Sequence, residues 1–207
     1  MSKLFIEDFA NNPDELTMVK AKVSEKVKEI IDLMRLTEVV PEAHINESPD
    51  RIAKMYVDEL FSGCFKAPPK MKIFQDEDNT PVLSTNINIS SCCSHHGVPF
   101  YGHASIYYVP KDNRITGLSK FYRVCDYFAR RPQVQERLTK QIGTYIWEQL
   151  DPHQLVVVLK CEHMCVSQRG AKAHQPLTIT RWAKGDIEYP ITQELVKEIT
   201  DSVTWGN

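Results

Sequence analysis

From Pro13 to about Leu36 the apolar residues Leu16, Val19, Val23, Val27, Ile30, Ile31 and Met34 recur at threes and fours among lysines and glutamates, a period that predicts an amphipathic helix. Such a face suits packing or contact with another copy. A second helix is expected from Ser48 as N-cap with Pro49 at the first helical position, turning Ile52, Met55, Tyr56 and Leu60 inward and stopping at Gly63. The period then shortens. Residues 82–91 and 100–109 alternate or cluster β-forming side chains and read as two strands. After the polar turn Pro110-Lys111-Asp112-Asn113 comes Gly117-Leu118-Ser119 and a helix striped by Phe121, Val124, Cys125 and Phe128. Pro132 is expected to open the next helix, with Val134, Leu138, Ile142, Tyr145 and Ile146 inward. Leu155 to Leu159 reads as a buried strand and Leu177-Thr178-Ile179-Thr180 as a last one. This order predicts an α+β domain over residues 65–207, with helices on one face of an antiparallel sheet, behind an N-terminal helical region of residues 1–64.

A chain of 207 residues is long enough for one substantial core, and no Gly/Ser-rich linker interrupts it. The net charge of −2 with scattered basic residues argues against a nucleic-acid surface. No apolar stretch approaches the roughly twenty residues of a membrane span, and the first residues show no leader pattern, so a cytoplasmic protein is expected. In a reducing compartment the six cysteines read as free thiols or metal ligands. Cys64, Cys92, Cys125 and Cys161 are then expected as small buried apolar residues.

The chemistry concentrates in Cys93-Ser94-His95-His96, between the first two strands, and His163-Met164-Cys165, after the third. Cys93 and His96 can reach one ion if the chain turns tightly between them, and on an extended chain His163 and Cys165 share a face. A structural zinc would take four protein ligands from this set, His163 or His95 being the fourth; a catalytic zinc would take three and keep one position for water. By spacing alone both readings stand, and Cys92 competes with Cys93. Candidate anion binders are Lys120 and Arg123 on one helix face beside Ser119, Arg169 beyond Cys165, and Arg51 in the first turn of the second helix. Singly each reads as a surface charge; together they suit a polyphosphate. Glu136 reads either as a helix-dipole charge or as a carboxylate accepting two hydrogen bonds from a purine edge.

In order along the chain, Ser48-Pro49-Asp50-Arg51-Ile52-Ala53-Lys54-Met55-Tyr56, Cys93-Ser94-His95-His96, Gly117-Leu118-Ser119-Lys120-x-x-Arg123, Arg131-Pro132-Gln133-Val134-Gln135-Glu136-Arg137-Leu138-Thr139 and His163-x-Cys165 with Arg169-Gly170 resemble the motifs of the GTP cyclohydrolase I family. The resemblance implies the tunnelling fold, a homodecamer of two pentamers, and active sites at subunit interfaces. It implies zinc on Cys93, His96 and Cys165. It further implies opening of the GTP imidazole ring at C8 by zinc-activated water, loss of formate, ribose rearrangement and closure to 7,8-dihydroneopterin triphosphate. By the same resemblance His163 protonates the ring nitrogen next to C8 and His95 handles protons in the sugar steps. Glu136 with Gln135 holds the guanine edge, and Ser119, Lys120, Arg123, Arg169 and Arg51 hold the triphosphate. The chain departs from the family pattern at Ser94, where a glutamate is usual, and through most of residues 171–187, although Thr178, Thr180 and Gly185 stay in register. These departures keep open a homologue that uses another purine nucleotide or stops at the ring-opened intermediate; a second alternative, of another class, is a non-catalytic zinc-stabilised nucleotide-binding oligomer.

Overall fold

A computed structural model describes residues 5–7 and 12–185. The chain divides into two compact units, one ending at Pro68 and one beginning at Pro69. In the first, helix α1 spans Pro13–Leu33. Asn12 caps it by accepting from the Glu15 N–H at 3.3 Å, Pro13 opens it, and Asp14 and Glu15 place negative charge at its positive end. It stops short of the expected Leu36 because Arg35 turns left-handed, at φ 53°. Helix α2, Ser48–Lys54, runs on as a π-helical stretch over Met55–Leu60. Ser48 is not its cap: Glu47 holds that position, Ser48 is already helical, and no side chain caps the end. Lys20 to Asp58 at 3.3 Å and Ser24 to Asp50 at 2.6 Å tie α1 to this second helix.

The second unit is the α+β layer pair that the hydrophobic pattern predicts. Strands β1 (Ile73–Gln75) and β4 (Arg114–Thr116) pair as a small antiparallel ribbon. The main sheet holds β2 (Val82–Cys93), β3 (Pro99–Val109), β5 (Pro132–Gln133), β6 (Gln154–His163) and β7 (Leu177–Gly185), in the order β5-β2-β3-β6-β7. All pairings in it are antiparallel except β2 with β5. Helices α3 (Ser119–Ala129) and α4 (Gln135–Leu150) supply the second layer. Their stripes, Phe121, Val124, Cys125 and Phe128 on one and Leu138, Ile142 and Ile146 on the other, are fully buried in the core with Ile87, Phe100 and Leu159. Each large side chain so buried contributes about 1.5–3 kcal/mol.

Pro132 does not open α4. Pro132 and Gln133 pair with Cys92 and Cys93, and the helix begins at Gln135 after an extended Val134. A proline is tolerated there because an edge strand can spare one N–H. The apolar run of β6 is continuous because both faces are covered. Leu155, Val157 and Leu159 join the helix-side core, while Val156 and Val158 meet Tyr107 and Ala183. Cys92, Cys125 and Cys161 are buried as expected, but Cys64 is half-buried. No helix among the described residues is long and apolar enough to cross a membrane.

Candidate active site

The turn between β2 and β3 delivers the first cluster. Cys93 ends β2, residues 94–96 form the turn, and Gly97 closes it at φ 70° with its N–H on the Cys93 carbonyl at 2.9 Å. That positive φ suits glycine and redirects the chain toward β3. The Ser94 N–H donates to the Gln133 carbonyl at 2.9 Å, which fastens the turn to β5.

The second cluster stands at the end of β6, where His163 is the register partner of Phe100. Pairing with β3 ends at His163 and pairing with β7 at Glu162. With no strand partners left, the backbone satisfies itself in one helical turn, α5 (Met164–Ser167), closed by the Gln168 N–H on the Met164 carbonyl at 2.9 Å. Cys165 therefore reaches the site from a helical turn and not through the strand alternation that its spacing from His163 suggests. The ligand atoms of Cys93, His96 and Cys165 lie within 4.8 Å of one another. Tetrahedral zinc with sulfur at ~2.3 Å and nitrogen at ~2.1 Å would hold such atoms about 3.5–3.8 Å apart, so closing by about one ångström completes the site. The donors suit such an ion. Burial, and next to it the neighbouring Cys93, raises the Cys165 thiol, with the Arg169 charge pulling the other way; a bound dication removes that cost of ionising two adjacent thiols.

His95 and His163 flank this trio differently. His95 is exposed, its Nδ1 3.9 Å from Cys93 Sγ and its ring 6.3 Å from that of His96. His163 lies flat on Phe100, centroids 4.6 Å apart and planes 9° apart. Burial lowers its pKa, and the Glu136 carboxylate acts in the opposite sense. A neutral imidazole in reach of a carboxylate suits proton transfer near neutral pH. Its Nε2 is 2.8 Å from Gln135 Oε1.

The other expected residues separate into groups. Glu136 is exposed in the first turn of α4, and its charge reaches His163. Gln135, expected with it at a guanine edge, is instead 1% exposed, with its amide engaged inside the protein by His163, Leu159, Thr178 and Thr180. Arg169 is exposed and its charge reaches Cys165. Ser119, Lys120 and Arg123 form the first turn of α3, Ser119 and Arg123 exposed. The opposite end of that helix meets β2 near the metal turn, through Ser91 Oγ on the Ala129 carbonyl at 2.7 Å. Along the axis of α3, Ser119 stands about 15 Å from that end, Lys120 about 14 Å and Arg123 about 9 Å. Arg51 belongs to the first unit, where it pairs with Glu47. The sequence reading missed Phe100, Thr139 and Thr180 as neighbours of the site. Thr139 was visible as the residue one helical turn after Gln135, but Phe100 and Thr180 needed the strand register.

A model of the GTP cyclohydrolase I family matches residues 23–201. The chain is 42% identical over 175 residues to GTP cyclohydrolase 1 of Clostridioides difficile (strain 630), an alignment covering 83% of this chain and 90% of that one. It is 43% identical over 144 residues to GTP cyclohydrolase 1 of Bacillus mycoides (strain KBAB4), covering 69% and 76%. Among solved structures, an archaeosine synthase QueF-Like in the apo form aligns with a TM-score of 0.45 at 14% identity, over 54% of this chain and 99% of that one. The assignment rests on the sequence matches, whose extent and identity make it plain: the chain belongs to the GTP cyclohydrolase I family and is an enzyme of that kind.

Proposed function

We propose that the chain is a zinc-dependent GTP cyclohydrolase I that converts GTP and water to 7,8-dihydroneopterin triphosphate and formate. The observation that carries this reading is the convergence of Cys93, His96 and Cys165 within 4.8 Å, with His163 at the same end of the sheet. Three protein donors leave a tetrahedral ion one open position, the arrangement of a catalytic site. When bound by Cys93, His96 and Cys165, zinc supplies a Lewis acid that activates water at neutral pH.

The chain's own groups do the rest. His163, neutral before the reaction and held flat on Phe100, takes up the proton that the adding water loses and passes it to the purine nitrogen next to C8 as the ring opens. His95, exposed at the rim, exchanges protons during the ribose rearrangement. Glu136 accepts from the adjacent N–H donors of the guanine edge. Arg169, beside Cys165, meets the triphosphate with Ser119, Lys120, Arg123 and Arg51.

We assign Ser119, Lys120 and Arg123 to a neighbouring copy's site, in a cytoplasmic homodecamer of two pentamers. Their place in the N-terminal half of α3, about 9–15 Å along its axis from the end that meets β2 near Cys93, supports this. Exposed apolar groups support an assembly as well: Met18, Ile30 and Leu33 on α1, and Leu177 and Ile179 on β7 at the end of the sheet.

The test follows formate release and pterin fluorescence together from purified, zinc-loaded protein and GTP. Both products are expected. Formate without fluorescence points instead to a reaction that stops after ring opening, a reading motivated by Ser94. Tight nucleotide binding with neither product overturns the proposal.

A further inference from the structure

Behind His163 runs a chain of hydrogen bonds whose direction the partners determine. Gln135 is 1% exposed. Its side-chain nitrogen lies 3.2 Å from the Leu159 carbonyl, 2.9 Å from the Thr178 carbonyl and 3.0 Å from Thr180 Oγ1. Carbonyls only accept, so the NH2 end of the amide must face them, and the oxygen end faces His163 Nε2 at 2.8 Å. An amide oxygen also only accepts, so Nε2 carries a hydrogen. In the neutral ring Nδ1 is then the bare nitrogen.

The hydroxyls lock this orientation. Thr139 Oγ1 donates to the Gln135 backbone carbonyl at 2.8 Å, one turn back along α4. Having spent its hydrogen, it accepts from Thr180 Oγ1 at 2.6 Å. Thr180 Oγ1 has then donated its own hydrogen and is left to accept from the Gln135 amide. Every group in the sequence Thr180, Thr139, Gln135, His163 thus has one consistent role, and reversing the Gln135 amide would set its oxygen against the Leu159 and Thr178 carbonyls. Each such buried mismatch costs about 1–3 kcal/mol.

We propose that Thr180 and Thr139, acting through Gln135, are positioning residues that hold His163 in the Nε2–H tautomer and present Nδ1 as the atom that carries the proton to and from the substrate. The inference rests on the role proposed for His163. It assigns a task to β7, in the stretch where the chain departs most from the family pattern, and it explains why Thr180 stays in register there.

The test is a double-mutant cycle on zinc-loaded protein, with ring opening read as formate release at saturating GTP. Thr180→Val keeps the shape and removes the hydroxyl. It should lower kcat at least about ten-fold, short of the 10²–10⁴-fold effect of removing a general acid, with KM for GTP and zinc content unchanged. Thr180→Ser should restore kcat. In a His163→Ala background Thr180→Val should have no further effect, since the residue it orients is gone. A Thr180→Val enzyme within about two-fold of the parent, failure of Thr180→Ser to rescue, or additivity with His163→Ala overturns the positioning role. If His163→Ala itself keeps full activity, it is the reading of His163 as acid that falls.

Discussion

Gly143 sits mid-way along α4 with the Trp182 indole of β7 over it. A Cβ built there comes within 2.5 Å of ring atom Cδ2 and 2.9 Å of Cζ3, and nearer still to Cε3. Gly143→Ala therefore sets two effects against each other. An alanine in a helix interior is favoured over glycine by about 1 kcal/mol. Overpacking a core contact costs about 1–3 kcal/mol. The ring has little freedom to retreat, because Trp182 is pinned opposite Val157 in the sheet and packs against the core. Overpacking should win, with a net loss of up to about 2 kcal/mol, which for a chain of this length lowers Tm by about 4–8 °C. Trp182 is two residues from Thr180, so the same shift should disturb the hydrogen bonds behind His163 and lower kcat. Thermal unfolding at fixed zinc and protein concentration measures the effect, since assembly and metal both shift Tm. In a Trp182→Leu background the clash is absent, and Gly143→Ala should become stabilising by about 0.5–1 kcal/mol. A Tm that rises in the parent, or the same change in both backgrounds, refutes the reasoning.

Cys165→Ser should abolish stoichiometric zinc, measured by atomic absorption after dialysis, while the far-ultraviolet spectrum is kept; unchanged zinc removes Cys165 from the ligand set. If Arg123 serves a neighbouring copy, Arg123→Ala and Cys165→Ser proteins should each be inactive. Mixed after dissociation and reassembly they should recover part of the activity, whereas a site built within one chain recovers none. Burial pushes the Cys161 thiol from 9.0 up to about 12. A raised folded-state pKa contributes stability that is present below the unfolded value and lost as pH rises through the folded one, so Cys161 should erode stability between about pH 9 and 12. Denaturant midpoints measured across that range should fall less steeply for Cys161→Ala.

Much of the architecture is legible in the chain because local periodicity reflects which face is buried. The stripe on α3, the continuous apolar run of β6 and the alternation in β2 and β3 each follow from neighbours close in sequence. Boundaries were less legible. Pro132 looks like a helix opener until Cys92 and Cys93 take it as an edge-strand partner, and Ser48 looks like a cap although the helix already includes it. Of the site, the residue types alone announced a metal-binding group. Cysteine and histidine at such spacings have little structural reason to cluster otherwise, and they do converge.

The element order, the residue types of a metal-binding group and the family resemblance can thus be read along the chain. Which of those atoms meet depends on the three-dimensional packing. The register of β3 and β6 laid Phe100 under His163, the end of strand pairing at His163 turned Cys165 into a helical turn, and the placement of β7 against α4 brought Thr180 to Thr139. These contacts join residues up to 63 apart, from Phe100 to His163, and no short-range pattern encodes them. The same packing buries Gln135, expected at a guanine edge, behind His163, because the direction of an amide is set by the carbonyls that three-dimensional folding places around it.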